Sequence, residues 1–331
     1  MFNYIFMKIL SLLLLVSSSY AKFLNQNKEL ILTFENILDL ANMSHNAYFK
    51  PQDYNWLNTS LPEIQDLSIN NDSLKVYLFR HPTTKTNVIS IKGTSLYWNN
   101  HINYTHDTCD LDPTIYSSTY YNDKVNDNLY FSCCYYKQSN LFETCTSCKQ
   151  EQDNYHDCCT ECYNNSTHLE LNYLNIGSTI VENLKSQIDF DNEEIIFTGH
   201  SLGATVASLL AIKYNKVGVG FQSPGDKHYA NMINMDYQNK HIYHFGHNAD
   251  PIFMGDCGST CNMMGYHIYT RCHIGYTCTF NAKEKLNIGE SLWTHRINYV
   301  INNIISNWKN DIPQCIKLDD CNDCENWKYT L

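Results

Sequence analysis

The stretch EEIIFTGHSLGATVASLLAIKY, Glu193 to Tyr214, decides the fold. Glu193 to Thr198 has strand composition, Gly199-His200-Ser201-Leu202-Gly203 is a tight reversal, and Ala204 to Tyr214 has helix composition. A serine between two glycines at a strand-to-helix turn forms a nucleophile elbow. The glycines remove side chains where the chain reverses, and the Ser201 hydroxyl is left exposed. The helix beginning at Leu202 aims its free N–H groups and positive end at a developing oxyanion. The pattern alone also fits an ordinary Gly-Ser turn; the flanking strand and helix make it informative.

Working outward, Ser73 to Arg80 and Thr86 to Lys92 read as neighbouring strands around a turn that includes Pro82, and Lys216 to Phe221 and Lys240 to Phe245 as two more. Lys28 to Phe49 and His168 to Ile188 carry apolar residues at helical spacing. Strands alternating with helices predict an α/β fold with a mostly parallel central sheet. From Leu96 to about Thr167 the chain turns to Tyr, Asn, Asp and eight cysteines without clear periodicity. It reads as a disulfide-rich insertion lacking regular secondary structure, placed where a lid would sit. Residues 22–331 are expected to form a single domain whose C-terminal segment, about 311–331, is stapled by cysteines.

Composition narrows the class. Of 331 residues, 43% are hydrophobic and 17% charged, and the net charge of −11 offers no footprint for a phosphate backbone, so no nucleic-acid partner is expected. Fifteen cysteines point to an oxidising compartment. Met1 to Ala21 agrees: one Lys, an apolar run from Ile9 to Val16, and Ser-Tyr-Ala at its end read as a signal peptide, with a retained signal anchor as the alternative. Sequons begin at Asn42, Asn58, Asn71, Asn103, Asn164 and Asn165, candidate glycosylation sites in a secreted chain. Cleavage after residue 21 would leave a charge of −12, which protonation of all 14 histidines would carry to +2. That arithmetic predicts stronger association with anionic vesicles near pH ~5 than near neutrality.

A serine hydroxyl needs a base, and the base a carboxylate, in the chain order Ser, acid, His. Asp250 follows the apolar run His241 to Phe245, where a strand end would present an acid; a turn or cap before Pro251 is the plainer reading. Beyond the elbow lie His228, His241, His244, His247, His267, His273 and His295. His295 is preferred because it immediately precedes an apolar helix, expected from Ile297, Val300, Ile301, Ile304 and Ile305, whose start could deliver it to the active face, while His267 and His273 sit among Cys257, Cys261, Cys272 and Cys278, a stapled loop. The oxyanion hole is assigned to the N–H groups of Thr94 and Leu202, with the Thr94 hydroxyl as a further donor. Cys145-x-x-Cys148, Cys159-x-x-Cys162 and Cys321-x-x-Cys324 suit zinc as well as disulfides; oxidation is favoured, and no metal or cofactor is expected.

Together these segments resemble the class 3 lipase superfamily, and within it the fungal autophagy-related vacuolar lipases. The resemblance is carried by Ile91-Lys92-Gly93-Thr94-Ser95, Asn122 to Cys134, Phe197 to Gly203, Ile242 to Cys257, Gly265-Tyr266, Cys272-His273, Thr294-His295-Arg296-Ile297, Cys315, Cys321 to Cys324 and Trp327. It implies an α/β-hydrolase-like fold, the triad Ser201, Asp250 and His295, the oxyanion position Thr94, and hydrolysis of membrane glycerolipid esters, phospholipids included, in the vacuole after delivery through multivesicular bodies. An extracellular esterase acting on soluble or cell-wall esters, and a lipase-like binding protein with an unused triad, are the competing expectations.

Overall fold

The computed structural model describes residues 22–69, 74–95, 118–132, 157–257, 261, 266, 268–323 and 328–330. The signal segment, Asn71, Asn103 and His267 lie outside these residues, as does most of the insertion on which the lid expectation falls. Glu63–Asp66 (β1), Val76–His81 (β2) and Thr86–Ile91 (β3) form an antiparallel meander. The short Asp157–Cys159 (β4) comes next, followed by Glu194–His200 (β5), Val217–Phe221 (β6), Ile242–His247 (β7) and Tyr276–Phe280 (β8), with Cys315–Lys317 (β9) and Lys328–Thr330 (β10) after them. The main sheet runs β1-β2-β3-β5-β6-β7-β8-β9 and is parallel from β3 to β8. The remaining two strands, β10 and β4, pair in parallel beside it.

Alternation along the strands explains the layers. Ile195 and Phe197 of β5 pack on one face of the sheet and Ile196 on the other, so each face requires cover. Phe34–Asn46 (α1) and the segment Ile297 to Trp308 cover one face. The other face takes Ser118–Phe131 (α2), Thr160–Ser166 (α3), Tyr173–Leu184 (α4), Leu202–Tyr214 (α5) and Lys227–Met232 (α6). Residues Leu202 to Ile212 of α5 are all buried, because β6 turns Gly218 and Gly220 toward it: Cβ atoms there would lie 3.0 Å from Ala211 Cβ and 2.9 Å from Ala204 Cβ.

Two expectations are corrected. The insertion contains regular structure in α2 and α3. The apolar run after His295 is not one α-helix: Ile297–Tyr299 is α, Val300–Ile304 is a π turn and Ile305–Trp308 is 3-10, although Ile297, Val300, Ile301, Ile304 and Ile305 are buried on one side as the spacing predicts.

Among the described residues, disulfides join Cys257–Cys261, Cys272–Cys321 and Cys278–Cys315. Cys272 and Cys278 therefore staple the C-terminal segment, rather than closing the loop around His273 on itself, and the Cys321–Cys324 zinc reading loses a ligand. No cluster of three or more His, Cys, Asp or Glu side chains able to hold a metal occurs among these residues. Nor is any described helix long and apolar enough to cross a membrane. Asn58 and Asn164 are exposed, whereas Asn42 lies within α1, its amide donating to the Asn58 carbonyl at 3.3 Å.

Candidate active site

The parallel strands deliver the candidate residues to one end of the sheet. Ser201, between β5 and α5, has φ 57 and ψ −128, outside the ordinary regions for a side-chain-bearing residue. Its N–H donates to the Phe221 carbonyl at 3.0 Å. Close packing enforces the turn: a Cβ on Gly203 would lie 2.3 Å from the Ile91 carbonyl oxygen.

Asp250 ends the turn after β7 and caps Pro251–Met254 (α7), its Oδ1 accepting the Ile252 N–H at 2.9 Å. The same carboxylate also reaches the imidazole, Oδ2 accepting from His295 Nδ1 at 2.7 Å. His295 closes the 3-10 turn Leu292–His295, and its Nε2 meets Ser201 Oγ at 2.9 Å. With Nδ1–H donated to Asp250, Nε2 carries the lone pair that accepts the serine proton. Ser201, Asp250 and His295 are 7%, 0% and 4% exposed, so the chain of contacts is screened little by water.

Of the described histidines, only His295 hydrogen-bonds Ser201. His228 bonds Tyr163, His273 Nε2 donates to the Ser223 carbonyl, His247 Nε2 donates to the Thr294 carbonyl, and His244 lies 3.2 Å from Asp226. Burial depresses His45, His200, His228, His247 and His273 below the ordinary imidazole range. Burial thus opposes protonation of these five, and the arithmetic that counted all fourteen histidines as charged in acid overstates the charge gained by the folded chain.

Thr94 lies beyond β3, beside the elbow, but its hydroxyl donates to Asp127 Oδ2 at 2.7 Å. A hydroxyl has one hydrogen. The hydroxyl hydrogen is given to Asp127, which corrects the reading of it as a further donor and leaves the expected oxyanion contribution of Thr94 to its backbone N–H alone. Burial, first, raises Asp127 well above the carboxylate range, against the pull of the Thr94 hydrogen bond.

His200 was not singled out by the sequence. It links Tyr48, whose hydroxyl donates to its Nδ1 at 2.8 Å, to the His295 carbonyl, which accepts from its Nε2 at 2.8 Å. Its place between Gly199 and Ser201 was the available signal. A separate cleft of about 440 Å³ lined by Leu30, Tyr243, Tyr276 and Pro313 lies at the other end of the strands and holds none of the candidate residues.

Ser201 at a strand-to-helix elbow, hydrogen-bonded to His295 and through it to Asp250, beside a helix N-terminus on an α/β sheet, is the arrangement on which a serine hydrolase is built. Residues 137–254 match the family described as Lipase (class 3), a span that includes Ser201 and Asp250. Over that span the chain is similar to the class 3 lipases. It is 31% identical over 309 residues to "Putative lipase ATG15" of Saccharomyces cerevisiae S288c, a match covering 88% of this chain and 56% of that protein. To the protein of that name from Debaryomyces hansenii it is 32% identical over 319 residues, 89% of this chain and 49% of the other. The chain thus spans about half the length of the curated relatives it matches. Among solved structures, Lip2 lipase from Yarrowia lipolytica aligns over 78% of this chain and 81% of its own at 16% identity, with a TM-score of 0.38.

Proposed function

We propose that the chain is a serine ester hydrolase that cleaves acyl esters of glycerolipids, phospholipids included, at membranes delivered to the vacuole lumen. The observation that carries this reading is the continuous line Asp250–His295–Ser201, at 2.7 and 2.9 Å. His295 Nε2 takes the Ser201 proton as Oγ attacks the ester carbonyl, and Asp250 stabilises the imidazolium that forms. The N–H groups of Thr94 and Leu202 receive the oxyanion. As the tetrahedral intermediate collapses, His295 returns the proton to the leaving alcohol, and water attacks the acyl-serine by the same route.

A lipid substrate is supported by the class 3 lipase match and the relatives named as lipases, and the vacuolar setting rests on the resemblance to the autophagy-related vacuolar lipases. The test pairs wild type with Ser201→Ala on phosphatidylserine vesicles, a triglyceride emulsion and a soluble short-chain ester. Wild type is expected to hydrolyse the first two and Ser201→Ala none, at unchanged circular dichroism. Activity confined to the soluble ester would move the substrate class to small esters; absence of labelling by a serine-directed phosphonate would make the chain a binding protein.

A further inference from the structure

Lys92 precedes the candidate oxyanion loop, and its ammonium is almost enclosed: the side chains of Lys92 and Asp123 are 12% and 2% exposed. Lys92 Nζ donates to the Gly93 carbonyl at 2.9 Å and to Asp123 Oδ2 at 3.1 Å. The same Asp123 Oδ2 accepts the Ser95 N–H at 2.8 Å, and Oδ1 accepts the Tyr173 hydroxyl at 2.6 Å. Asp123, on α2, therefore grips the loop on both sides of Gly93-Thr94.

The peptide being gripped is the one that matters. The Gly93 carbonyl and the Thr94 N–H belong to one planar unit, trans like every other peptide described, so fixing the carbonyl on one side aims the N–H to the opposite side. A cation on the carbonyl oxygen also polarises the amide and makes its N–H a stronger donor. That peptide abuts the nucleophile: a Cβ on Gly93 would lie 3.1 Å from Ser201 Cβ and 2.2 Å from the His200 carbonyl oxygen. An ion pair this buried is poor value for stability alone, since well-packed apolar residues commonly match it.

We propose that Lys92, held by Asp123, is a positioning residue for ester hydrolysis, aiming and polarising the Thr94 N–H toward the oxyanion through the Gly93 carbonyl. The proposal rests on the reading of Ser201 as nucleophile and of the Thr94 N–H as oxyanion donor. It makes α2 a working part of the site, because the insertion supplies the carboxylate that holds the lysine.

The test uses Lys92→Met and the double variant Lys92→Met/Asp123→Asn, which leaves no unpaired buried charge. Competent sites are counted by saturating phosphonate labelling, so misfolded molecules drop out of every rate. A short-chain ester gives kcat and KM, and a trifluoromethyl ketone, which forms an oxyanion on Ser201, gives an inhibition constant. In both variants kcat per labelled site is expected to fall about 10- to 100-fold with KM nearly unchanged, and ketone affinity to weaken by the same factor. A purely structural role would lower the melting temperature and the labelled fraction while leaving both per-site quantities at wild-type values, and that result overturns the proposal. Hydrolysis retained by Ser201→Ala is a separate result that overturns the underlying serine reading and this proposal with it.

Discussion

The Nε2–H of His200 donates to the carbonyl oxygen of His295 across 2.8 Å, so the residue beside Ser201 also fixes the backbone of His295. Burial, and after it the neighbouring His295 ring, keep His200 well below the ordinary imidazole range. The tie is therefore made by a neutral ring. His200→Leu would leave the buried His295 carbonyl without its donor, at a cost of about 1–3 kcal/mol, and the Tyr48 hydroxyl without its acceptor. Both the melting temperature and kcat should drop. Tyr48→Phe preserves the His200–His295 bond and should lower the melting temperature with a smaller loss of kcat; an equal loss in the two variants would contradict this division of labour.

Asp250 serves two bonds with two oxygens, which allows its roles to be separated. Asp250→Asn can still accept the Ile252 N–H, so the α7 cap and the melting temperature should be nearly retained. An amide facing His295 Nδ1 disfavours the tautomer that leaves Nε2 free for the Ser201 proton. Turnover of a soluble ester should fall by roughly 10⁴-fold. A loss smaller than tenfold would remove Asp250 from the proposed triad.

Acid should weaken the fold through its buried histidines. Burial pushes His228 to about 4, and His273 likewise to about 4. In the unfolded chain such rings take up protons near pH ~6.5, and in the folded chain only near the lowered value. The stability tied to their neutral forms is present in full above the unfolded value and is lost as the pH falls toward 4, by up to about 3 kcal/mol each. The melting temperature should therefore decline between pH ~6.5 and ~4, and His273→Gln should flatten part of that decline. An unchanged slope in the variant would count against the assignment.

Cys278–Cys315 links β8 to β9 and closes a 37-residue interval. Cys278→Ala/Cys315→Ala should lose about 2–4 kcal/mol in denaturant unfolding. Because the bond lies on the edge of the sheet away from Ser201, kcat at low temperature should remain near wild type.

What could be read from the sequence follows from what is local. Ser201 stands in a motif whose neighbours dictate its geometry, and Asp250 and His295 follow it along the chain, so the three side chains that meet in the proposed site were legible. The Lys92–Asp123 grip was not. The face that α2 turns into the molecule carries Asp123, Asn126, Asp127 and Tyr130, each buried and hydrogen-bonded, so no apolar stripe announced a helix. Polar residues repeating at helical intervals beside the Lys92 to Ser95 loop were the missed signal. The tie from His200 to His295 joins residues 95 apart, which no local pattern encodes. The π turn at Val300–Ile304 escaped because its apolar spacing is that of an α-helix.

The parallel run from β3 to β8 gives the molecule a working end and an idle end. Ser201 and Asp250 emerge from the first, while Gln238, exposed just ahead of β7, marks the second. A tether or fluorescent tag placed at Gln238 would hold the mouth outward toward a liposome, so immobilised molecules should keep turning over, whereas one attached at Trp293, two residues from His295 and 56% exposed, should blind them.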